Sequence, residues 1–189
     1  MIEIPETIPL AFGDGVVVLT ARTLVEKFRT VYDVIGELGV NGDFPVPNVS
    51  STLFTHIKNY SNIEDALVYI PPENLSPRDR PKEIADFFET LQRNYAPPIN
   101  PVTGRPLKQN TIVFELINAA NYLNYNLPKL EGGRFQKGAL LQEAAREIAM
   151  QIMGKAPDQL KEAFDIECNV SEIEAEVLKE VGIDPVGGL

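Results

Sequence analysis

The chain has little of what catalysis most often uses. Among 189 residues there is one cysteine, Cys168, one histidine, His56, and no tryptophan. A lone cysteine excludes an intrachain disulfide and a cysteine-based zinc site. Met1–Glu6 carries neither a basic segment nor a long apolar one, so no signal peptide is expected, and one cysteine suits a reducing compartment. Without a secretory signal, Asn-x-Ser sequons such as those at Asn48, Asn59 and Asn169 read as chance. Basic charge is also scarce. Lys and Arg total 17 against 27 Asp and Glu, a formal net charge of −10. Nucleic acids and anionic membranes call for a basic face, so neither is an expected partner. No apolar run is long enough to span a bilayer.

The candidate chemistry is thin. His56 has no nucleophile signature beside it. Cys168 lies between Glu167 and Asn169, and nearby negative charge raises a thiol pKa, the wrong direction for a nucleophile. Glu172, Glu174, Glu176 and Glu180 have no oxygen-rich loop around them and read as a solvated helical face. Gly13-Asp14-Gly15 is too short to cradle a phosphate, and no nucleotide-binding or zinc-protease motif occurs. No catalytic residue, cofactor or metal site is expected.

What is present is an ordinary core and a clear order of elements. Apolar residues make up 44% of the chain, and the length suits one domain with an appended arm. Ile8–Phe12 and Val16–Thr20 flank the glycine loop and predict a hairpin. Leu24, Phe28, Val31 and Ile35 recur at helical spacing. Residues 44–49 read as extended because of their prolines. Ser50 or Ser51 then caps a helix carrying Leu53, Phe54, Ile57 and Tyr60. Eight of the 15 prolines fall within residues 71–106, which predicts two long loops, at about 61–82 and 94–108, around a helix near 82–92. Asn110 caps a helix with Ile112, Val113, Leu116, Ile117, Ala120 and Leu123. Another carries Leu140, Leu141, Ala144, Ala145, Ile148 and Ile152 and stops at Gly154. Pro157 opens a short helix with Leu160 and Phe164, and Ser171–Glu174 fits a capping box for a last one. Strands first and helices later predict an α/β chain of the α+β kind. The last 32 residues hold nine acidic and two basic side chains, a net of −7.

Particular strings carry more than pattern. Residues 110–125 contain Phe-Glu-Leu-Ile-Asn-Ala-Ala-Asn-Tyr-Leu, which resembles the 'FELILAANYL' helix of the Skp family, the adaptors of Skp–cullin–F-box ubiquitin ligases. Gly154-Lys155-Ala156-Pro157 with Lys161–Ile166 resembles that family's 'GKTPEEIRKTFNI', and Ser171–Glu180 its acidic last helix. Gly13-Asp14-Gly15, Leu38-Gly39 and Pro45–Val49 resemble its 'S-DG', 'LEDLG' and 'PVPLPNV', and Pro71-Pro72 falls where it has a proline-rich acidic loop. The resemblance covers most of the chain in order. It implies a BTB/POZ-like core over 1–130, a small N-terminal sheet packed with helices, and a C-terminal F-box-binding helical region over 139–189. It implies a non-catalytic adaptor bridging a cullin N-terminal domain and F-box proteins, cytoplasmic and nuclear, with ligase chemistry supplied by other subunits and a weak homodimer possible when unpartnered. By position, Asn121 and Tyr122 match the cullin-contacting pair. Val113, Phe114, Ile117, Leu141, Ala145, Ile148, Phe164, Ile166, Val177 and Leu178 match the F-box surface, and about half are expected to be ordinary core.

The departures are specific. Ala156 stands where the family has a capping Thr, and the family's terminal Trp-Cys is absent. Segments around Asn94–Lys108 and Glu131–Gly138 look inserted. The alternative reading is a BTB/POZ-fold scaffold or oligomerisation protein acting outside a ligase. A hydrolase using the clustered carboxylates has no motif behind it.

Overall fold

A computed structural model describes residues 4–67, 80–102, 104–125 and 139–164. The alternation Ile8, Leu10, Phe12 becomes strand β1 (Thr7–Phe12), with all three side chains buried. β1 pairs antiparallel with β2 (Val17–Ala21), Leu10 facing Val18, which is the predicted hairpin. β1 also pairs in parallel with β3 (Phe44–Val46), Leu10 facing Phe44, so the strand order is β2-β1-β3. A parallel pair needs a crossover. Helices α1 (Arg22–Val25) and α2 (Arg29–Leu38) provide it.

The periodicity over Leu24–Ile35 predicts one helix there, but two form. Phe28 breaks it, with φ −98° and ψ 81°. In that conformation its ring is fully buried, 5.9 Å from Phe54 and 6.0 Å from Tyr125, and its backbone bridges to Tyr125. Long-range packing has overridden local propensity.

The turn after β1 is tight. The Gly13 amide donates to the Val49 carbonyl at 2.9 Å, and a Cβ on Gly13 would lie 2.2 Å from the Pro47 carbonyl oxygen. Asp14 caps helix α3 (Ser51–Leu67) from outside it, its carboxylate accepting from the Ser51 amide (2.8 Å) and hydroxyl (2.7 Å). Those two donors hold the Asp14 carboxyl below the usual range. The Ser50 hydroxyl accepts from the Leu53 amide at 3.2 Å, as predicted for a cap. The helix runs on to Leu67, past the point near 61 where sequence placed the start of a loop.

Helix α4 (Lys82–Asn94) follows, then irregular chain closed by an Ile99–Pro106 bridge, then α5 (Thr111–Leu123), α6 (Ala139–Ile152) and α7 (Pro157–Phe164). Asn110 is at the start of α5, but its side chain does not cap it. Its backbone is already helical (φ −70°, ψ −12°), and its amide donates instead to the Ala163 carbonyl at 3.2 Å, tying α7 to α5. One core joins the inner face of the sheet to α3–α6.

Helix α6 is also held by buried charge. The Arg80 guanidinium donates to Glu143 Oε2 (2.7 Å), to Glu147 Oε2 (2.7 Å) and to the Glu143 carbonyl (2.9 Å), and lies 5.0 Å over the Phe88 ring. Arg146 reaches the second Glu143 oxygen at 2.5 Å. Among the described residues no helix is long and apolar enough to cross a membrane.

Candidate protein-interaction faces

Helix α5 presents an outward face along its whole length. Phe114, Asn118 and Asn121 recur at helical spacing and are exposed, while Ile117 and Tyr122 flank them half-buried. The opposite face, Val113, Leu116, Ala120 and Leu123, is core.

At the C-terminal end, Asn121 projects freely and the Tyr122 ring packs partly against the core. The helix stops because Asn124 turns left-handed (φ 47°), a conformation Asn tolerates better than most residues. The Tyr125 amide then bonds back to the Ala120 carbonyl at 2.9 Å, the closing bond of a Schellman motif. Beneath this cap lies a second polar cluster. Tyr125 donates its hydroxyl to Glu64 Oε2 at 2.7 Å. The Lys27 ammonium is 3.8 Å from the same oxygen and bonds Ser61 (2.7 Å) and Asp65 (2.5 Å). Burial, reinforced by the Glu64 charge, pushes the Tyr125 phenol well above its ordinary value, so it stays protonated and donating.

At the N-terminal end, the Phe114 ring meets the Phe164 ring edge-on at 6.1 Å, so α7 shelters half of an otherwise open aromatic pair. Ile117, Leu141 and Phe164 are half-buried and Ala145 is exposed. Val113 and Ile148 belong to the core, because the helical period turns them toward Leu116 and Ala144. They support the apolar face from behind and do not line it. Ile166, Val177 and Leu178 lie outside the described residues, as do Cys168 and the four glutamates at 172–180. Two exposed apolar side chains stand where α6 ends: Ile152 (44% exposed), which the sequence placed on the helical stripe, and Met153 (67%), which it did not single out. Met153 is the residue just past α6, where the apolar stripe outruns the core.

His56 lines a separate groove of about 680 Å³ between α3 and α4, floored by Ile63, Phe87 and Leu91. Burial lowers its pKa, so the imidazole is neutral at pH 7. Tyr95 closes one end with its hydroxyl 3.3 Å from Glu115, and its pKa is pushed up to about 12 by burial and then by that carboxylate. Among the described residues no group of three or more His, Cys, Asp or Glu side chains could hold a metal ion.

Comparison with known proteins agrees with this geometry. The family described as "Skp1 family, dimerisation domain" matches residues 139–181. The "E3 ubiquitin ligase complex SCF subunit sconC" of Arthroderma benhamiae is 22% identical over 165 residues, 85% of this chain and 83% of that one. The chain is similar to Skp1-type proteins over most of its length. The "S-phase kinase-associated protein 1 homolog" of Tetrahymena thermophila is 24% identical over 160 residues, 83% of this chain and 81% of that one. A second sconC, from Aspergillus clavatus, is 24% identical over 162 residues, 85% of this chain and 86% of that one. Both the small sheet packed by helices and the helices that follow it are in place, as an α/β Skp1/BTB-like fold requires.

Proposed function

We propose that this chain is the adaptor subunit of a cullin-based E3 ubiquitin ligase, joining a cullin N-terminal domain to F-box substrate receptors and performing no chemistry itself. The observation that carries the reading is the outward face of α5. It offers a rigid Asn–Tyr pair at one end and an aromatic–aliphatic surface shared with α6 and α7 at the other. A tyrosine beside an exposed amide suits a protein contact, giving a large rigid area with a polar tip. Phe114, Ile117, Leu141 and Phe164 suit the apolar side of a helix-in-groove contact. The relatives bearing SCF subunit names support the same assignment. Cytoplasm and nucleus are the compartments in which this role would be exercised.

The test is co-purification, separately, with an F-box peptide and with a cullin N-terminal domain. Asn121→Lys with Tyr122→Lys is expected to abolish cullin binding and spare the F-box peptide, and Phe114→Lys to do the reverse. Normal cullin binding by the double variant removes the assignment of that end. A stable homodimer in sedimentation that binds neither partner would favour a scaffold instead.

A further inference from the structure

We propose that Tyr125, acting through Glu64 and Lys27, is a positioning residue that fixes the end of α5 on which Asn121 and Tyr122 stand. The inference rests on the reading of that pair as a cullin contact, and it assigns a role to three residues that the sequence motifs do not single out.

Three separate pieces of chain meet here. Lys27 comes from the link between α1 and α2, Glu64 and Ser61 from α3, and Tyr125 from the residue just past the Asn124 cap. The Lys27 and Glu64 side chains are 4% and 1% exposed. Burying such charges is costly, and apolar side chains of similar volume would pack as well or better. A satisfied polar cluster does something apolar packing does not: its bonds have direction, so it selects one arrangement of the elements it joins. The elements joined here are those whose relative placement sets the end of α5.

Among the described residues the backbone also anchors this point. The Arg29 amide reaches the Asn124 carbonyl at 3.3 Å, and Phe28 and Tyr125 form a single isolated bridge. The Tyr125 hydroxyl bond to Glu64 at 2.7 Å is the shorter and charge-assisted tether. Slack there passes directly to the proposed contact pair. The Tyr125 amide holds the Ala120 carbonyl, and the Asn124 amide holds that of Asn121 at 3.0 Å. The F-box end of α5 is fixed by other bonds, including that of Asn110 to α7.

Tyr125→Phe removes one oxygen and keeps the ring in the core. In the full-length chain, amide hydrogen exchange at Asn124 and Tyr125 is expected to quicken, and affinity for the cullin N-terminal domain to fall about tenfold, the worth of one hydrogen bond to a charged group. Affinity for an F-box peptide should stay within about twofold, and Tyr125→Phe with Glu64→Leu should lose no more than Glu64→Leu alone, because that change already cuts the Tyr125 bond. Glu64→Gln, which keeps an acceptor for the hydroxyl, should retain most cullin affinity. Unchanged exchange, unchanged cullin affinity, or equal losses for both partners would overturn the proposal. If the Asn121→Lys, Tyr122→Lys double variant binds cullin normally, the cullin reading is what has failed, and the exchange measurement still decides whether Tyr125 fixes the helix end.

Discussion

Arg80→Met should detach helix α6 more severely than any other single change away from the apolar core. The Arg80 side chain is 4% exposed and Glu143 0%, so the substitution strands a carboxylate where water does not reach. Removing one partner of a buried pair costs about 3–5 kcal/mol. The lower end applies here, since Arg146 still holds one Glu143 oxygen. Roughly 3 kcal/mol lowers the melting temperature of a chain this size by about 6–12 °C and the urea midpoint by about 1–2 M. Urea unfolding followed by circular dichroism measures this. The second half of the test is the pairing of Arg80→Met with Glu143→Leu, which removes both charges. If the cost is a stranded charge, the double variant recovers to within about 1 kcal/mol of the wild type. A double variant worse than the single one, or a single change costing under about 1 kcal/mol, would refute the reasoning. Raising salt should not shrink the deficit, because screening acts on exposed pairs and scarcely on buried ones.

Gly13→Ala should destabilise the chain by about 1–3 kcal/mol in the same urea assay, since its new methyl meets a backbone carbonyl that cannot swing aside. Ala156→Thr should raise stability by about 0.5–2 kcal/mol: Gln159 already accepts from the Ala156 amide at 2.9 Å, so a hydroxyl there completes a capping box that is half built. The folded His56 pKa lies below 6.5, so the unfolded chain takes up that proton first. Stability should therefore fall as pH drops through 6.5 and level off below the folded pKa, and His56→Asn should flatten that part of the profile, well above the carboxylate range near pH 4.

Much of this fold was legible because its elements are locally consistent. The alternation before Gly13 and the stripe of α5 each state their period without help from the rest of the chain. The family strings pointed to the candidate faces on α5, α6 and α7. What remained hidden was long-range. Nothing near Phe28 says that Tyr125, far along the chain, will hold it out of a helix, and nothing near Asn110 says that α7 will take its side chain. The polar clusters were half visible. Glu64 falls on the stripe of Ile57 and Tyr60, and Glu143 beside Leu140 and Ala144, so each is a charge where the period demands an apolar group. That anomaly marks a buried charge, but its partners lie elsewhere. Lys27 is 34 residues from Ser61, and Arg80 is 63 from Glu143, too far for spacing to pair them.

The two clusters also explain why a chain with so little chemistry keeps so many buried charges. An adaptor must hold two partner faces in a fixed relation, and in the proposed reading both lie on one side of α5. Phe114 and Asn121 are two helical turns apart, about 10 Å along the axis at 1.5 Å per residue. A helix that short transmits orientation only if neither end can roll on the core. Apolar packing resists separation of elements better than it resists small sliding and rotation, because it has no preferred direction. Directional bonds supply what it lacks. The Tyr125–Glu64–Lys27 cluster pins one end of α5, and Arg80 with Glu143 and Glu147 pins α6 against α4 beside the other. On this view loosening either cluster should change how the two partners are presented to each other before it changes whether the chain is folded.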